Sequence, residues 1–155
     1  MGLRISEREF GAGAICRSIL DQLPQWFGMP QSNADYARLA EEGPAWLAVE
    51  DGEVVGVMLL KPHFESTVEI YLLAVVLARH RAGVGRALVA HAEAWARGRG
   101  ATFLTVKTRG PSKPYEPYER TRAFYEALGF VALEEFTEFW DPENPALMMA
   151  KALGA

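Results

Sequence analysis

Apolar residues recur along this chain with two alternating periods, and the switches between them outline its elements. The run "LRIS" near the N-terminus reads as a short strand. Ile15, Ile19, Leu20 and Leu23 then follow helical spacing within "FGAGAICRSILDQL". Pro24, Gly28 and Pro30 break that period. "SNADYARLAEE" restarts it, with Ser32 or Asn33 placed to cap a second helix. "AWLAVE" and "EVVGVMLL" flank Asp51-Gly52, a turn pair that predicts an antiparallel hairpin. "STVEIYLLAVV" is a long apolar strand. Beyond it, Val84, Leu88, Ala92 and Trp95 share one face of a helix that Gly98 and Gly100 end. "ATFLTVKT" predicts another strand. "TRAFYEALGF" predicts a short helix closed by Gly129, with Ala123, Phe124, Ala127 and Leu128 facing inward. "VALEEFTEFW" and "ALMMAKAL" predict two final strands.

The order is therefore β-α-α-β-β-β-α-β-α-β-β. It is neither a strict βαβ alternation nor an all-β pattern. Only the crossover from 68 to 108 joins its two strands through a helix, so only that pair is expected to be parallel. The predicted fold is α/β in the α+β sense, a mixed and mostly antiparallel twisted sheet with helices on both faces. With 155 residues and no long linker or repeat, one domain over 1–155 is expected.

Composition narrows the classes. No apolar run approaches the roughly 20 residues that span a bilayer, and "MGLRISEREF" has no signal core, so no membrane partner is expected. Cys16 is the sole cysteine. A lone thiol suits a reducing cytoplasm. His63, His80 and His91 are scattered, without metal-ligand spacing, so no metal is expected. The net charge of -4 argues against nucleic-acid binding. Charge is unevenly spread, however. Residues 79–122 carry ten Lys or Arg against three Glu. This suits either a discrete anionic ligand on an acidic scaffold or a solvated basic face.

Within that basic segment stands "RHRAGVGRALV". The first N–H groups of a helix lack internal acceptors, and the helix dipole adds positive character there. Glycine admits a ligand close to the backbone. A strand, a Gly-rich turn and a helix thus form a phosphate cradle, with Arg79, Arg81 and Arg86 as nearby cationic donors. A dinucleotide site would want a third glycine where Leu88 stands, and an acidic residue after a second parallel strand. Both are missing.

The turn has a companion further on. His80-Arg81-Ala82-Gly83-Val84-Gly85 and Tyr125-Glu126-Ala127-Leu128-Gly129-Phe130, in that order, resemble the two motifs of the GNAT superfamily of acyl-CoA-dependent N-acetyltransferases. The likeness covers roughly residues 45–153. It departs at His80, where the family has Gln or Arg. It departs again at Tyr118, where the family often has an Asn that touches the pantetheine arm.

The resemblance implies direct acetyl transfer from acetyl-CoA to a primary amine, with no further cofactor. It implies that the pantetheine pairs with the backbone of Ala74, Val75 and Val76. The pyrophosphate would then rest on the amides of Arg81, Ala82, Gly83, Val84, Gly85 and Arg86, with Tyr118 beside the arm. Glu69 falls where several family members carry a glutamate base. An alkylammonium has a pKa near ~10, so a base is needed at neutral pH. Tyr125 matches the family's proton donor to the leaving thiolate, and a neutral phenol suits that task. The backbone N–H of Val75 would meet the oxyanion. Trp26, Phe27, Met29 and Tyr36, in the loop between the first helices, suit either a wall of an acceptor site or packing in the core. Family members also commonly pair through late strands, which implies a homodimer. A non-catalytic acyl-CoA sensor of the same fold is the alternative. The acceptor amine is left open, small molecule or protein.

Overall fold

A computed structural model describes residues 2–154. The elements follow the predicted order: β1 (Leu3–Arg8), α1 (Gly13–Asp21), α2 (Pro30–Glu42), β2 (Ala45–Glu50), β3 (Glu53–Pro62) and β4 (Thr67–Val75). They continue as α3 (Val84–Gly98), β5 (Phe103–Arg109), α4 (Glu116–Ala127), β6 (Val131–Asp141) and β7 (Asn144–Ala152). One seven-stranded sheet has the order β1-β2-β3-β4-β5-β7-β6. β4 and β5 pair in parallel, from Thr67 opposite Phe103 to Ile70 opposite Val106. β1 with β2, β2 with β3, β5 with β7 and β6 with β7 are antiparallel. The fold is the mixed, mostly antiparallel α/β architecture that the patterning implies.

The chain divides into two compact units. One holds residues through Leu60 together with Tyr71–Ala92, and the other holds Lys61–Ile70 together with the chain from Glu93 onward. In the first unit, Asp51 and Gly52 both take positive φ, 52° and 82°. That is the turn geometry matching the twist of the strands it joins. Alternate residues of β2, β3 and β4 (Leu47, Val49, Val57, Leu59, Leu72, Ala74) pack with Cys16, Ile19 and Leu20 of α1 and Ala40 of α2. On the opposite face of β3, Gly56 lies under α3. An added Cβ there would sit 3.2 Å from Leu88 Cδ1 and 3.3 Å from Val84 Cγ1. Helices thus cover both faces of this part of the sheet.

α2 starts at Pro30 rather than after Ser32 or Asn33. Proline fixes the φ a first helical residue needs and has no N–H to leave orphaned. Asn33 instead turns back, and its Nδ2 donates to Phe27 O at 2.8 Å. Tyr36 accordingly belongs to α2 and not to the preceding loop.

In the second unit β7 lies between β5 and β6. Leu104, Val106 and Thr108 form the buried face of β5. α4 begins at Glu116, several residues before the expected Thr121, with Pro117 in its first turn. This longer helix rotates differently from the predicted stripe. Tyr125 and Phe130 are buried, Phe124 and Leu128 are half-buried, and Ala123 and Ala127 are exposed. Bulk decides the orientation: the two aromatic rings bury more apolar area than two alanines would.

Candidate functional site

The Gly-rich turn belongs to the first unit. A 3₁₀ turn over Leu77–Arg79 follows β4. Arg81 then takes φ +65° and Gly83 φ +87°. Gly83 needs glycine for its left-handed backbone, and an added Cβ would meet nothing within 4 Å. Space above the turn is thus open. Gly83 O accepts from Ala87 N at 3.0 Å, which starts α3. Arg81, Ala82, Gly83 and Arg86 are exposed, Gly85 is half-buried and Val84 is core. An exposed left-handed turn that opens a fifteen-residue helix presents backbone N–H groups to an anion. These residues fit a phosphate group.

The basic charge around the turn is smaller than the sequence suggests. Arg79 Nε donates to Glu50 Oε1 at 2.5 Å. Further along, Lys107 is bound to Glu69, Arg120 to Glu116, and Arg97 to both Glu93 and Leu153 O. Arg122 donates to Arg109 O. Most of the basic segment is committed to protein partners. Arg81 and Arg86 are the exposed cations flanking the turn itself.

The segment 74–76 closes β4. Ala74 is buried. Val75 O accepts a hydrogen bond from His80 Nε2 at 2.8 Å, and Val76 N donates to Val55 O at 3.0 Å. Two of its main-chain groups are therefore engaged within the unit.

Glu69 lies on β4 within the second unit, with 4 % of its surface exposed. Its Oε1 accepts from His63 Nε2 at 2.7 Å and its Oε2 from Lys107 Nζ at 3.0 Å. Lys107 in turn sits 5.0 Å from the centroid of the Phe139 ring. His63 is 37 % exposed along its side chain and lines an open cavity of about 170 Å³ with Phe64, Thr67 and Arg99. A buried carboxylate thus connects through one imidazole to solvent. Sequence reasoning missed both partners of Glu69. Lys107 stands three places into the facing strand's register beyond Leu104, and His63 lies six residues before Glu69 across a turn. Neither spacing is a motif.

Tyr125 is buried beside Phe124 and Phe130, with ring centroids at 5.1 and 5.3 Å. Burial pushes its phenol well above the ordinary value, and the nearby Tyr118 adds to the rise. Tyr125 therefore stays protonated and able to donate. Tyr118 lies in the first turns of α4, its ring 6.0 Å from that of Tyr115.

The aromatic residues of the first unit form three edge-on ring contacts. Tyr36 meets Phe27 edge-on at 6.3 Å and Tyr71 at 5.8 Å. Trp26 meets the His80 ring at 5.3 Å. Met29 is exposed. Tyr71 was not among the expected wall residues, although its place on the Glu69 face of β4 signals it.

The chain is similar to known proteins in sequence family and in fold. Residues 14–130 match the family model described as the acetyltransferase (GNAT) family. The crystal structure of a protein of the GNAT family from Desulfovibrio desulfuricans superposes with a TM-score of 0.86 at 22 % identity, over 99 % of this chain and 100 % of that one. The ribosomal-protein-S18-alanine N-acetyltransferase of Escherichia coli gives 0.79 at 20 % identity, over 99 % and 96 %. A GNAT-family acetyltransferase from Elizabethkingia anophelis, crystallised with acetyl-CoA bound, gives 0.71 at 19 %, over 96 % and 97 %. No curated protein matches.

Proposed function

This chain belongs to the acetyltransferase (GNAT) family, and we propose that it transfers the acetyl group of acetyl-CoA directly to a primary amine. The observation that carries this reading is the exposed left-handed turn at Arg81 and Gly83 opening α3. The amides of Arg81 to Arg86 would hold the pyrophosphate, and the end of β4 at 74–76 would receive the pantetheine, with Tyr118 alongside. Acetyl-CoA supplies an activated thioester. The chain supplies proton handling. Glu69 accepts the proton that the acceptor ammonium must lose before its lone pair can form the C–N bond. As the C–S bond breaks, the protonated Tyr125 hydroxyl would donate a hydrogen bond to the departing thiolate, which at a conjugate-acid pKa near ~8.5 can leave as the anion.

The acceptor site is proposed at Tyr36, Tyr71, Phe27 and Trp26, whose rings suit an amine with an apolar or aromatic flank. A second reading, a non-catalytic acyl-CoA sensor, is favoured by one observation: both oxygens of Glu69 already have protein partners.

Two measurements separate these readings. Binding at 100 times the dissociation constant stabilises by about 2.7 kcal/mol, which for a chain of this size raises the melting point by roughly 5 to 10 °C. That shift is expected with acetyl-CoA and CoA but not with NAD. Its absence at millimolar acetyl-CoA would remove the cofactor reading. Free-thiol release with a panel of amines then tests catalysis. Tyr125→Phe is expected to lower turnover about 100-fold while CoA affinity stays within about twofold. Binding without turnover for any amine would leave the sensor.

A further inference from the structure

His80 occupies the first position of the Gly-rich motif, yet its side chain does not extend toward the exposed face of the turn. It folds back onto its own strand. Nε2 donates to Val75 O at 2.8 Å, and the ring meets Trp26 edge-on at 5.3 Å and 67°. A carbonyl can only accept, so this bond fixes the tautomer with hydrogen on Nε2.

The bond closes a small loop. Residues 76–83 leave β4, make one 3₁₀ turn and reach the first residue of α3 through two left-handed positions. One of them is Arg81, a side-chain-bearing residue at φ +65°. Such a conformation costs on the order of 1 kcal/mol outside glycine and persists where its surroundings enforce it. Main-chain support is confined to local turn bonds: Arg79 N donates to Val76 O at 2.9 Å, His80 N to Leu77 O at 3.1 Å and Ala82 N to Arg79 O at 3.2 Å. The remaining anchors are side chains: Arg79 on Glu50, and His80 on Val75. Arg79 fixes the residue before the left-handed step to β2. His80 fixes the last residue before that step to the end of β4.

We propose that His80 is the positioning residue of the anion turn. Its hydrogen bond to Val75 O holds the left-handed path through Arg81 in place before any ligand arrives. The N–H groups that follow then face outward at no further ordering cost on binding. Trp26 packs on the ring and keeps Nε2 aimed at the carbonyl. The ligand assigned to the turn is the pyrophosphate of CoA, which rests on the function proposed above; the ordering of the turn does not.

Two variants separate the hydrogen bond from the ring. His80→Gln keeps a donor of similar reach and loses the aromatic edge. His80→Phe keeps a flat ring against Trp26 and loses the donor. Amide hydrogen exchange of the ligand-free full chain at Ala82 and Ala87, whose N–H groups donate to Arg79 O and Gly83 O across the turn, is expected to accelerate about fivefold or more in His80→Phe. In His80→Gln it should stay within about threefold of the parent chain. That contrast corresponds to one hydrogen bond. CoA titration by calorimetry should follow it, with fivefold or greater weakening in His80→Phe and rescue in His80→Gln. A fold defect would accelerate exchange throughout the chain, and exchange in β2 and β7 serves as that control. Parent-like exchange at Ala82 and Ala87 in His80→Phe overturns the proposal, as does equal acceleration in both variants. If the parent chain itself fails to bind CoA, the cofactor reading falls, and the exchange contrast alone still decides whether His80 orders the turn.

Discussion

Glu69 carries its charge where water barely reaches, held by one lysine and one histidine. Removing one partner from such a pair strands a buried charge, at a cost of roughly 3 to 5 kcal/mol. Lys107→Met is therefore expected to lower unfolding free energy by about 3 kcal/mol in urea titration. The double variant with Glu69→Gln should recover a large part of it, because no charge then remains unpaired. Equal stability of Lys107→Met and the parent chain would mean that the carboxylate is solvated after all. Cys16 offers a second test at this scale. Burial pushes its thiol up from 9.0 to about 11. Below pH 9 the thiol is protonated in both folded and unfolded chains, so it adds no pH dependence. Between about 9 and 11 the unfolded chain releases this proton and the folded chain keeps it, so stability falls as pH rises. Subtracting the Cys16→Ala profile should isolate a declining slope confined to that window. A flat difference would contradict the burial.

Among the elements, α1 and α2 depend on each other at their ends. α1 has no side-chain cap. Its leading amides are met instead by α2: Gly11 N donates to Glu41 O at 2.9 Å and Ala12 N to Ala40 O at 3.0 Å. Gly13 N donates to Glu41 Oε1 at 3.1 Å. The negative end of one helix thus serves the positive end of the other. No room remains for a side chain, since a Cβ on Gly13 would lie 2.9 Å from Ala37 O. Gly13→Ala should cost about 1 to 3 kcal/mol by overpacking, measured by thermal or urea unfolding, despite alanine's better helix propensity. A neutral or stabilising effect would show that the helices separate freely. α4 teaches the complementary point. Its predicted face rested on a short window that omitted Glu116 to Arg120. Once Pro117 opens the helix, the face that packs is the one bearing Tyr125.

At the scale of the whole molecule, β6 ends the sheet order beyond β7. Val131, Leu133, Phe139 and Trp140 are exposed along it, large apolar side chains on a strand that closes the sheet order. Glu134, Glu135 and Glu138 interrupt it and disfavour open-ended stacking. We expect a closed homodimer through this strand. Sedimentation should give the dimer mass for the parent chain and the monomer mass for the Leu133→Glu, Phe139→Glu variant. A monomeric parent chain would exclude it. No described helix is long and apolar enough to cross a membrane.

The order of elements, the single parallel pair and the hairpin at Asp51-Gly52 were all legible in the sequence, because they depend on period and turn chemistry, which are local. The Gly-rich turn was legible for the same reason: positive φ at Gly83 is a property of glycine in that position. The tertiary structure alone decided what each charge touches. Lys107 reads as part of a basic stripe until the parallel register of β4 and β5 sets it against Glu69. Arg79 reads as a phosphate donor until Glu50 takes it. His80 reads as a flawed motif residue until the chain bends back and its ring finds Val75 O. Local pattern fixes which backbone forms, since each residue's own dihedrals and burial preference suffice for that. Pairing between side chains far apart in sequence is set by register and packing, and no period along the chain encodes it.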